Sequence, residues 1–307
     1  MPKKIIFWLI IFVINLFFVI VVGEIYARLK HGDVLFYKAQ AAVVRRPDFE
    51  LDHSFIPNTE GPAFTKEFNT TYRINSLGLR DREYSVEKEP GAFRILALGD
   101  SFTEGHGVTI EHTYVKILEK KLNEAPAGNL KYEFINCGVS SYSPLLEYLF
   151  LKLRGLRLEP DMVVLFYNFN DLKDDCEYET TTVFDENGVP QSCHTYKRIR
   201  AYSSNPIEKF LVRHSRFYVY IENKINKKLY KLRYKDEKEA PSIERFIAYK
   251  EGKEEFIEML WEKNKKYLGL IDDMLRERGI SFVIVNYPAG IEISPVEWGI
   301  GRNEWGF

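Results

Sequence analysis

The strongest constraint on the fold is a short apolar run that ends in a turn and is followed by a helical pattern. Residues 95–98 are all apolar and are followed by Gly99, which predicts a strand buried on both faces, as in a parallel sheet. Apolar residues then recur every four positions, which predicts a helix with one apolar stripe: Ile110, Tyr114, Leu118 and Leu122. Ser101 therefore lies between a strand's carboxyl end and a helix, in the crevice where open α/β sheets bind ligands.

The same alternation continues along the chain. Strands are predicted at residues 132–136, 162–167 and 280–285, and helices at residues 110–124, 144–156 and 256–278. Strands that alternate with helices form βαβ units with right-handed crossovers. The pattern predicts an α/β fold around a parallel sheet.

An unbroken apolar run at the start of the chain predicts a membrane anchor. Residues 5–22 are apolar apart from Asn15, and a helix of that length spans about 27 Å, close to the thickness of a bilayer's hydrocarbon core. A cleaved signal peptide has a shorter apolar region and a small-residue cleavage site, and Gly23 is the only small residue near the end of this run. The short, positively charged N-terminus favours a single-pass anchor with the main domain outside the cytoplasm.

The apolar run and the alternation of strands and helices divide the chain into three predicted parts. Residues 1–30 form the anchor, residues 31–90 an extended stalk that packs on the main domain, and residues 91–307 the α/β domain, with an insertion at about 174–251. A strand is predicted at residues 68–74. The second half of the insertion, residues 206–235, is basic with interleaved aromatic side chains. We favour a solvated helix that packs its aromatic side chains on the core over a helix in contact with a membrane surface.

Charge and cysteine content restrict the partners and cofactors. The net charge of -1 gives no electrostatic reason to expect a nucleic-acid partner. No cluster of histidine, cysteine and aspartate has metal-ligand spacing, so neither a metal nor a cofactor is expected. Cys176 and Cys193 flank a hairpin turn signal at Asn187-Gly188; a disulfide and two free thiols are equally compatible with it.

Three predicted strands deliver glycine or polar groups to one edge of the sheet. Ser101 follows the first strand, Gly138 the second, and Asn170 the third. Because the carboxyl ends of parallel strands meet at one edge, we expect these three residues to lie close together.

At these residues the chain resembles the SGNH (GDSL-type) hydrolases. The resemblance is carried by Gly99-Asp100-Ser101, Gly138 and Asn170-Asp171, in the family's order. The phrases INSLGLRD and RILALGDSFTEGHGV are similar to membrane-anchored members associated with cell-surface polysaccharides. The resemblance implies a three-layer α/β/α fold with a flavodoxin-like sheet.

It also implies an esterase that acts on acyl esters, with acetyl as the expected acyl group and a cell-surface glycan as the expected carrier. Ser101 would be the nucleophile, and the N–H groups of Ser101 and Gly138 would bind the oxyanion together with the Asn170 side chain. Asp100 and Asp171 are expected to shape turns by accepting backbone hydrogen bonds.

Two departures from the family pattern bear on the activity. Asn168 stands where the family usually has glycine, and the late Asp-x-x-His that supplies the family's base is absent. His106, five residues after Ser101, is a weak substitute because it lies between two glycines. The absence indicates either that the chain is incomplete and lacks the end of the fold or that the protein is catalytically inactive. A glycan O-acyltransferase and an inactive glycan-binding or assembly protein are the alternatives to the esterase.

Overall fold

The computed structural model describes residues 3–31, 44–64, 68–126, 128–168, 170–194 and 254–287, with parts of residues 207–225. The predictions for residues 32–43 and for most of residues 195–253 and 288–307 lie outside the described residues. The chain begins with helix α1 (Lys3–His31). Within the described part, α1 is the one helix long and apolar enough to cross a membrane.

A four-stranded parallel sheet lies at the centre of the fold. Its strands are β5 (Ala92–Gly99), β6 (Lys131–Asn136), β7 (Met162–Tyr167) and β10 (Ser281–Asn286), in the spatial order β10-β7-β5-β6. Gly99 pairs with Phe166 on one side of β5, and Ala97 pairs with Asn136 on the other. The predicted parallel sheet is therefore confirmed, and β5 lies between the two strands whose ends carry Gly138 and Asn170.

Helices connect the strands of this sheet. They are α2 (Ser101–Glu104), α3 (Tyr114–Glu124), α4 (Pro144–Leu153), α5 (Asp171–Glu179) and α6 (Glu254–Arg276), with short 3-10 turns at Ile110–His112 and Gly155–Leu158.

Both faces of β5 are buried in apolar clusters. Leu96 and Leu98 belong to a large cluster that includes side chains of α4 and α6. Ile95 and Ala97 belong to a second cluster that includes Val115 of α3. This alternation explains why residues 95–98 are apolar without a polar face. The three-layer, flavodoxin-like arrangement goes beyond these contacts and stays a prediction.

The segment before the sheet forms two hairpins. Strands β1 (Arg45–Asp48) and β2 (Asp52–Phe55) pair with each other, as do β3 (Thr59–Phe64) and β4 (Asn69–Ile74), and both pairs are antiparallel. Their buried residues, among them Phe55 and Tyr72, join the large cluster of the main sheet. The predicted strand at 68–74 is observed, and the division of the chain into anchor, stalk and main domain stays a prediction.

The helix predicted at 110–124 is interrupted by a cap. Thr113 accepts a hydrogen bond from Lys116 N at 3.4 Å, so that the α-helix begins at Tyr114 after a 3-10 turn. Val115 is fully buried, whereas Leu118 is exposed. The predicted four-residue stripe was wrong at Leu118, because the face that packs on the core runs through Val115 and Leu122 and Leu118 lies outside it.

The predicted hairpin between the cysteines is present. Strands β8 (Thr182–Phe184) and β9 (Pro190–Cys193) pair antiparallel around Asn187-Gly188. Cys137, Cys176 and Cys193 are all free thiols. Of the two alternatives for the pair flanking the hairpin, the structure therefore has the two free thiols.

Candidate functional site

Ser101 is the first residue of α2, directly after the central strand. Asp100 caps the helix, and its carboxylate accepts a hydrogen bond from Phe102 N at 2.8 Å. Gly99 has a φ of 149°, and a Cβ there would lie 2.0 Å from the Thr103 hydroxyl oxygen. Only glycine fits this close approach, and the turn holds Ser101 at the carboxyl edge of the sheet.

Gly138 lies against the turn that carries Ser101. Val139 N donates to Gly99 O at 3.0 Å, which joins the loop after β6 to the end of β5. A Cβ on Gly138 would lie 2.4 Å from Glu104 N, so the loop contacts the backbone of α2 directly. The Gly138 N–H itself donates to the Asn136 side chain at 3.0 Å. An oxyanion at this position would have to compete with that acceptor.

Asn170 reaches the same turn from the other neighbouring strand. Burial raises the pKa of the Asp100 carboxylate, and the side chains of Asn170 and Asn168 beside it offset part of that rise. The side chain of Asn168, which stands where the family usually has glycine, thus lies beside Asp100. The Oδ1 atom of Asn170 is buried and has no hydrogen-bond partner among the described residues.

The structure thus brings the three predicted residues to one sheet edge. Gly138 packs on α2, and Asn170 lies beside Asp100, the residue that precedes Ser101. Asp171 accepts a hydrogen bond from Asn168 N at 3.0 Å, so both acidic residues shape turns, as predicted. The roles of Ser101, Gly138 and Asn170 as nucleophile and oxyanion donors stay predictions.

A buried arginine that the sequence analysis missed holds the far end of this turn. Arg80 donates from Nη1 to the carbonyl oxygens of Glu104 and Gly105, both at 2.6 Å, and from Nη2 to Val108 O at 2.5 Å. Its guanidinium also lies over the Tyr72 ring, 3.8 Å from the centroid. The arginine thereby satisfies carbonyl groups that the short helix leaves unpaired.

The neighbouring Asp81 holds the second strand end. Its carboxylate accepts from Asn136 N at 2.7 Å and pairs with Lys116 at 2.8 Å. Burial raises the pKa of Asp81. Arg80 and Asp81 end the phrase INSLGLRD, which therefore supports the site from behind. The adjacent charges of Arg80 and Asp81 were the sequence feature that could have indicated this supporting role, but charge alone does not indicate that a residue is buried.

A second buried ion pair joins the first hairpin to the site. The fully buried Glu104 accepts from Arg45 Nη2 at 2.5 and 2.6 Å and from Ser140 N at 2.6 Å. His53 contacts the same loop, with Nε2 2.8 Å from Ser140 O and Nδ1 2.9 Å from the Asp52 carboxylate. The sequence analysis did not identify these residues, because their contacts join segments far apart in the chain.

Three buried carboxyl groups lie near the end of the third strand. Asp175 accepts from Ser143 Oγ at 2.6 Å and from Asn264 Nδ2 at 2.9 Å, and burial raises its pKa to about 7. Burial also raises the pKa of Glu147 and of Asp171 well above the ordinary values. The charge of Asp175 raises the pKa of Glu147 further, and the charge of Glu147 raises that of Asp171. A buried carboxyl group that is not matched by a cation favours its protonated form.

The histidines of the described part have partners other than Ser101. His106 Nδ1 lies 3.2 Å from the Tyr72 hydroxyl, and its ring packs edge-on against Phe68. His112 contacts Thr109, and His194 contacts Ser192. Within the described ranges, then, no histidine is hydrogen-bonded to Ser101, and no group of three acidic, histidine or cysteine residues is arranged to hold a metal ion.

Comparisons with known proteins give one partial likeness. No protein-family model matches the chain, and no curated protein matches it. A segment is similar to two solved structures: the esterase AlinE4, described as a member of the SGNH-hydrolase family, and a single-substitution mutant of that esterase.

Both solved structures are 26% identical to the matched segment, with a TM-score of 0.23. The match covers 29% of this chain and 46% and 49% of the two esterase chains. The chain thus spans about half the length of these solved structures. A likeness this partial assigns neither a fold nor an activity to the chain.

Proposed function

We propose that this chain is a serine esterase of the SGNH type, with Ser101 as the nucleophile. The observation that supports this proposal most strongly is the position of Ser101 at the start of α2, between two strand ends that bring Gly138 and Asn170 to its turn. A serine at the start of a helix has backbone N–H groups nearby, which can stabilise a developing negative charge.

The proposed chemistry is attack of the Ser101 oxygen on an ester carbonyl. The hydroxyl proton passes to water, and collapse of the tetrahedral intermediate breaks the ester bond, releases the protonated alcohol and leaves the acyl group on Ser101. The resulting oxyanion would be held by the N–H groups of Ser101 and Gly138 and by the Asn170 amide. Among the described residues the buried Oδ1 of Asn170 has no partner, so the donor that the amide offers to the oxyanion is its Nδ2 group. Gly138 N–H would exchange its bond to Asn136 for the oxyanion.

The substrate and location are also proposed. We infer a small acyl ester, such as an acetyl ester, with a cell-surface glycan as its carrier. The membrane would be engaged through α1, with the main domain outside the cytoplasm. The resemblance supports the glycan, and the length and composition of α1 support the anchor.

The test uses the full chain in detergent micelles with p-nitrophenyl acetate. We expect acetyl transfer to Ser101, detected by mass spectrometry of the peptide, together with release of p-nitrophenol. Ser101→Ala should lose both signals, while Ser192→Ala, on the β8–β9 hairpin, should retain them. An active Ser101→Ala variant, or acetyl bound only at another residue, would rule out Ser101 as the nucleophile.

A second candidate is a binding or assembly protein that has kept the fold without catalysis. It is favoured by the histidine contacts, because none of the described histidines is hydrogen-bonded to Ser101. A serine without a base is a weak nucleophile. The same experiment separates the two candidates: a folded wild-type chain that neither turns over the ester nor becomes acetylated would support the binder.

A further inference from the structure

A helical segment of the insertion docks on the end of α1. Residues 216–221, 224 and 225 are helical, and we refer to them as the insertion helix. The Glu24 carboxylate of α1 accepts hydrogen bonds from Arg216 N at 3.1 Å, Phe217 N at 3.0 Å and Ser215 Oγ at 3.0 Å. Glu24 therefore caps the insertion helix, and the cap anchors it at one position along α1.

Aromatic contacts strengthen this junction. The Phe217 ring occupies the space beside Gly23, where a Cβ would lie 2.5 Å from the ring. Tyr26 and Tyr220 meet edge to face, with their centroids 6.1 Å apart. These aromatic rings were expected to pack on the core, and in the structure they contact α1.

The junction coincides with the end of the apolar run. Residues 5–22 span about 27 Å as a helix, which matches the hydrocarbon core of a bilayer. If α1 spans the membrane, Gly23 and Glu24 lie at the level of the lipid headgroups. The insertion helix, capped by Glu24, must then lie at the same level.

The side chains around this junction are those of a membrane interface. Lys30 lies over the Tyr26 ring at 5.3 Å, and Lys224 lies over the Tyr220 ring at 5.7 Å. Tyrosine is enriched at membrane–water interfaces, and lysine keeps its charge in the headgroup layer while its stem contacts apolar groups.

Apolar side chains next to the junction are open to the surroundings. Ile225 is 53% exposed, Ile221 is 38% exposed, and Phe210, in the helical stretch that precedes Ser215, is 61% exposed. In water these side chains would form an unfavourable apolar surface. Beside the end of a membrane span, they are placed to enter the boundary between headgroups and acyl chains.

We propose that the insertion helix is a membrane-surface element that lies on the bilayer where α1 emerges, with Ile225 of the helix and Phe210 before it in contact with lipid. The proposal goes beyond the esterase activity and rests on α1 as a membrane span. The partner of the insertion helix is a lipid surface, and the basic side chains beside the helix favour anionic headgroups.

The test measures lipid contact by nitroxide labelling of the full chain in nanodiscs of phosphatidylcholine and phosphatidylglycerol. Cys176→Ser removes the partly exposed thiol, and single labels are placed by Phe210→Cys and by Ile225→Cys. Val183→Cys, on the exposed hairpin strand β8, is the control in water, and Val13→Cys reports on α1. Power saturation compares collisions with oxygen, which concentrates in lipid, and with a water-soluble nickel chelate.

We expect the ratio of oxygen to nickel collisions at positions 210 and 225 to be severalfold higher than at position 183 and closer to that at position 13. Ratios at 210 and 225 equal to the ratio at 183, with a lipid-like ratio at 13, would overturn the surface helix while leaving the anchor intact. A water-like ratio at 13 would overturn both. None of these results bears on the acetylation of Ser101, so the two proposals fail separately.

Discussion

Replacement of Arg80 by methionine tests whether the buried guanidinium holds the turn that carries Ser101. The side chain is only 1% exposed and donates three hydrogen bonds to the carbonyl oxygens of Glu104, Gly105 and Val108. Methionine is unbranched and of similar length, so Arg80→Met keeps the apolar contact with Tyr72 and removes the donors.

The size of the effect follows from the groups left unpaired. Gly105 O keeps Val108 N at 3.2 Å and Val108 O keeps Thr70 Oγ1 at 3.4 Å, whereas Glu104 O loses the guanidinium as its donor. A buried carbonyl oxygen left without a donor costs about 1–3 kcal/mol. The loss is partly offset, because a buried charge no longer has to be desolvated. We therefore expect the free energy of unfolding to fall by about 2–4 kcal/mol, from one carbonyl oxygen without a donor and two with a donor fewer.

The measurement is urea unfolding of the full chain in detergent micelles, followed by near-ultraviolet circular dichroism. Arg73→Met is the matched control, because Arg73 is exposed and pairs only with the exposed Glu60 at 3.2 Å; it should cost less than about 1 kcal/mol. If Arg80→Met and Arg73→Met unfold at the same urea concentration, the three bonds do not stabilise the turn and the reasoning is refuted.

Two further predictions concern packing and pH. Gly138→Ala places a Cβ 2.4 Å from Glu104 N and should lower the stability measured by thermal unfolding by about 1–3 kcal/mol. The control Gly269→Ala, in α6 with no atom within 4 Å of the added Cβ, should raise the stability by about 0.5–1 kcal/mol. Equal melting temperatures of the two variants would contradict the close contact at Gly138. Asp175 has a pKa of about 7 when folded against an ordinary 3.8. The folded state therefore binds this proton more tightly, and stability should fall by on the order of 4 kcal/mol as the pH rises from about 4 to about 7. Asp175→Asn should flatten that part of the stability curve, and an unchanged slope would show that other groups cause it.

The elements of the sheet were predictable because their patterns are local. Strand β7 was predicted at residues 162–167 and is observed there, and the hairpin turn at Asn187-Gly188 is also observed. The start of α3 was not predictable from periodicity. The apolar spacing suggests a helix from Ile110, and the cap at Thr113 competes with that spacing.

The candidate site was predictable to the extent that it lies at strand ends. Parallel strands that end in Gly99, Asn136 and Tyr167 must bring the residues after them to one edge, so the meeting of Ser101, Gly138 and Asn170 follows from the order of the elements. The free-energy cost of a side chain at position 138 depends on how closely the loop approaches α2. No local sequence pattern indicates that distance.

The amino-acid sequence by itself determined the apolar span, the alternation of strand and helix and the turn that exposes Ser101, because each depends on residues within a few positions of one another. Only the tertiary structure decided that Arg80, Asp81 and Glu104 are buried beside that turn and that Glu24 caps the insertion helix. In both cases charged side chains find partners tens to hundreds of positions away. The free energy of burying a charge depends on those partners, so it is fixed only once the chain has folded.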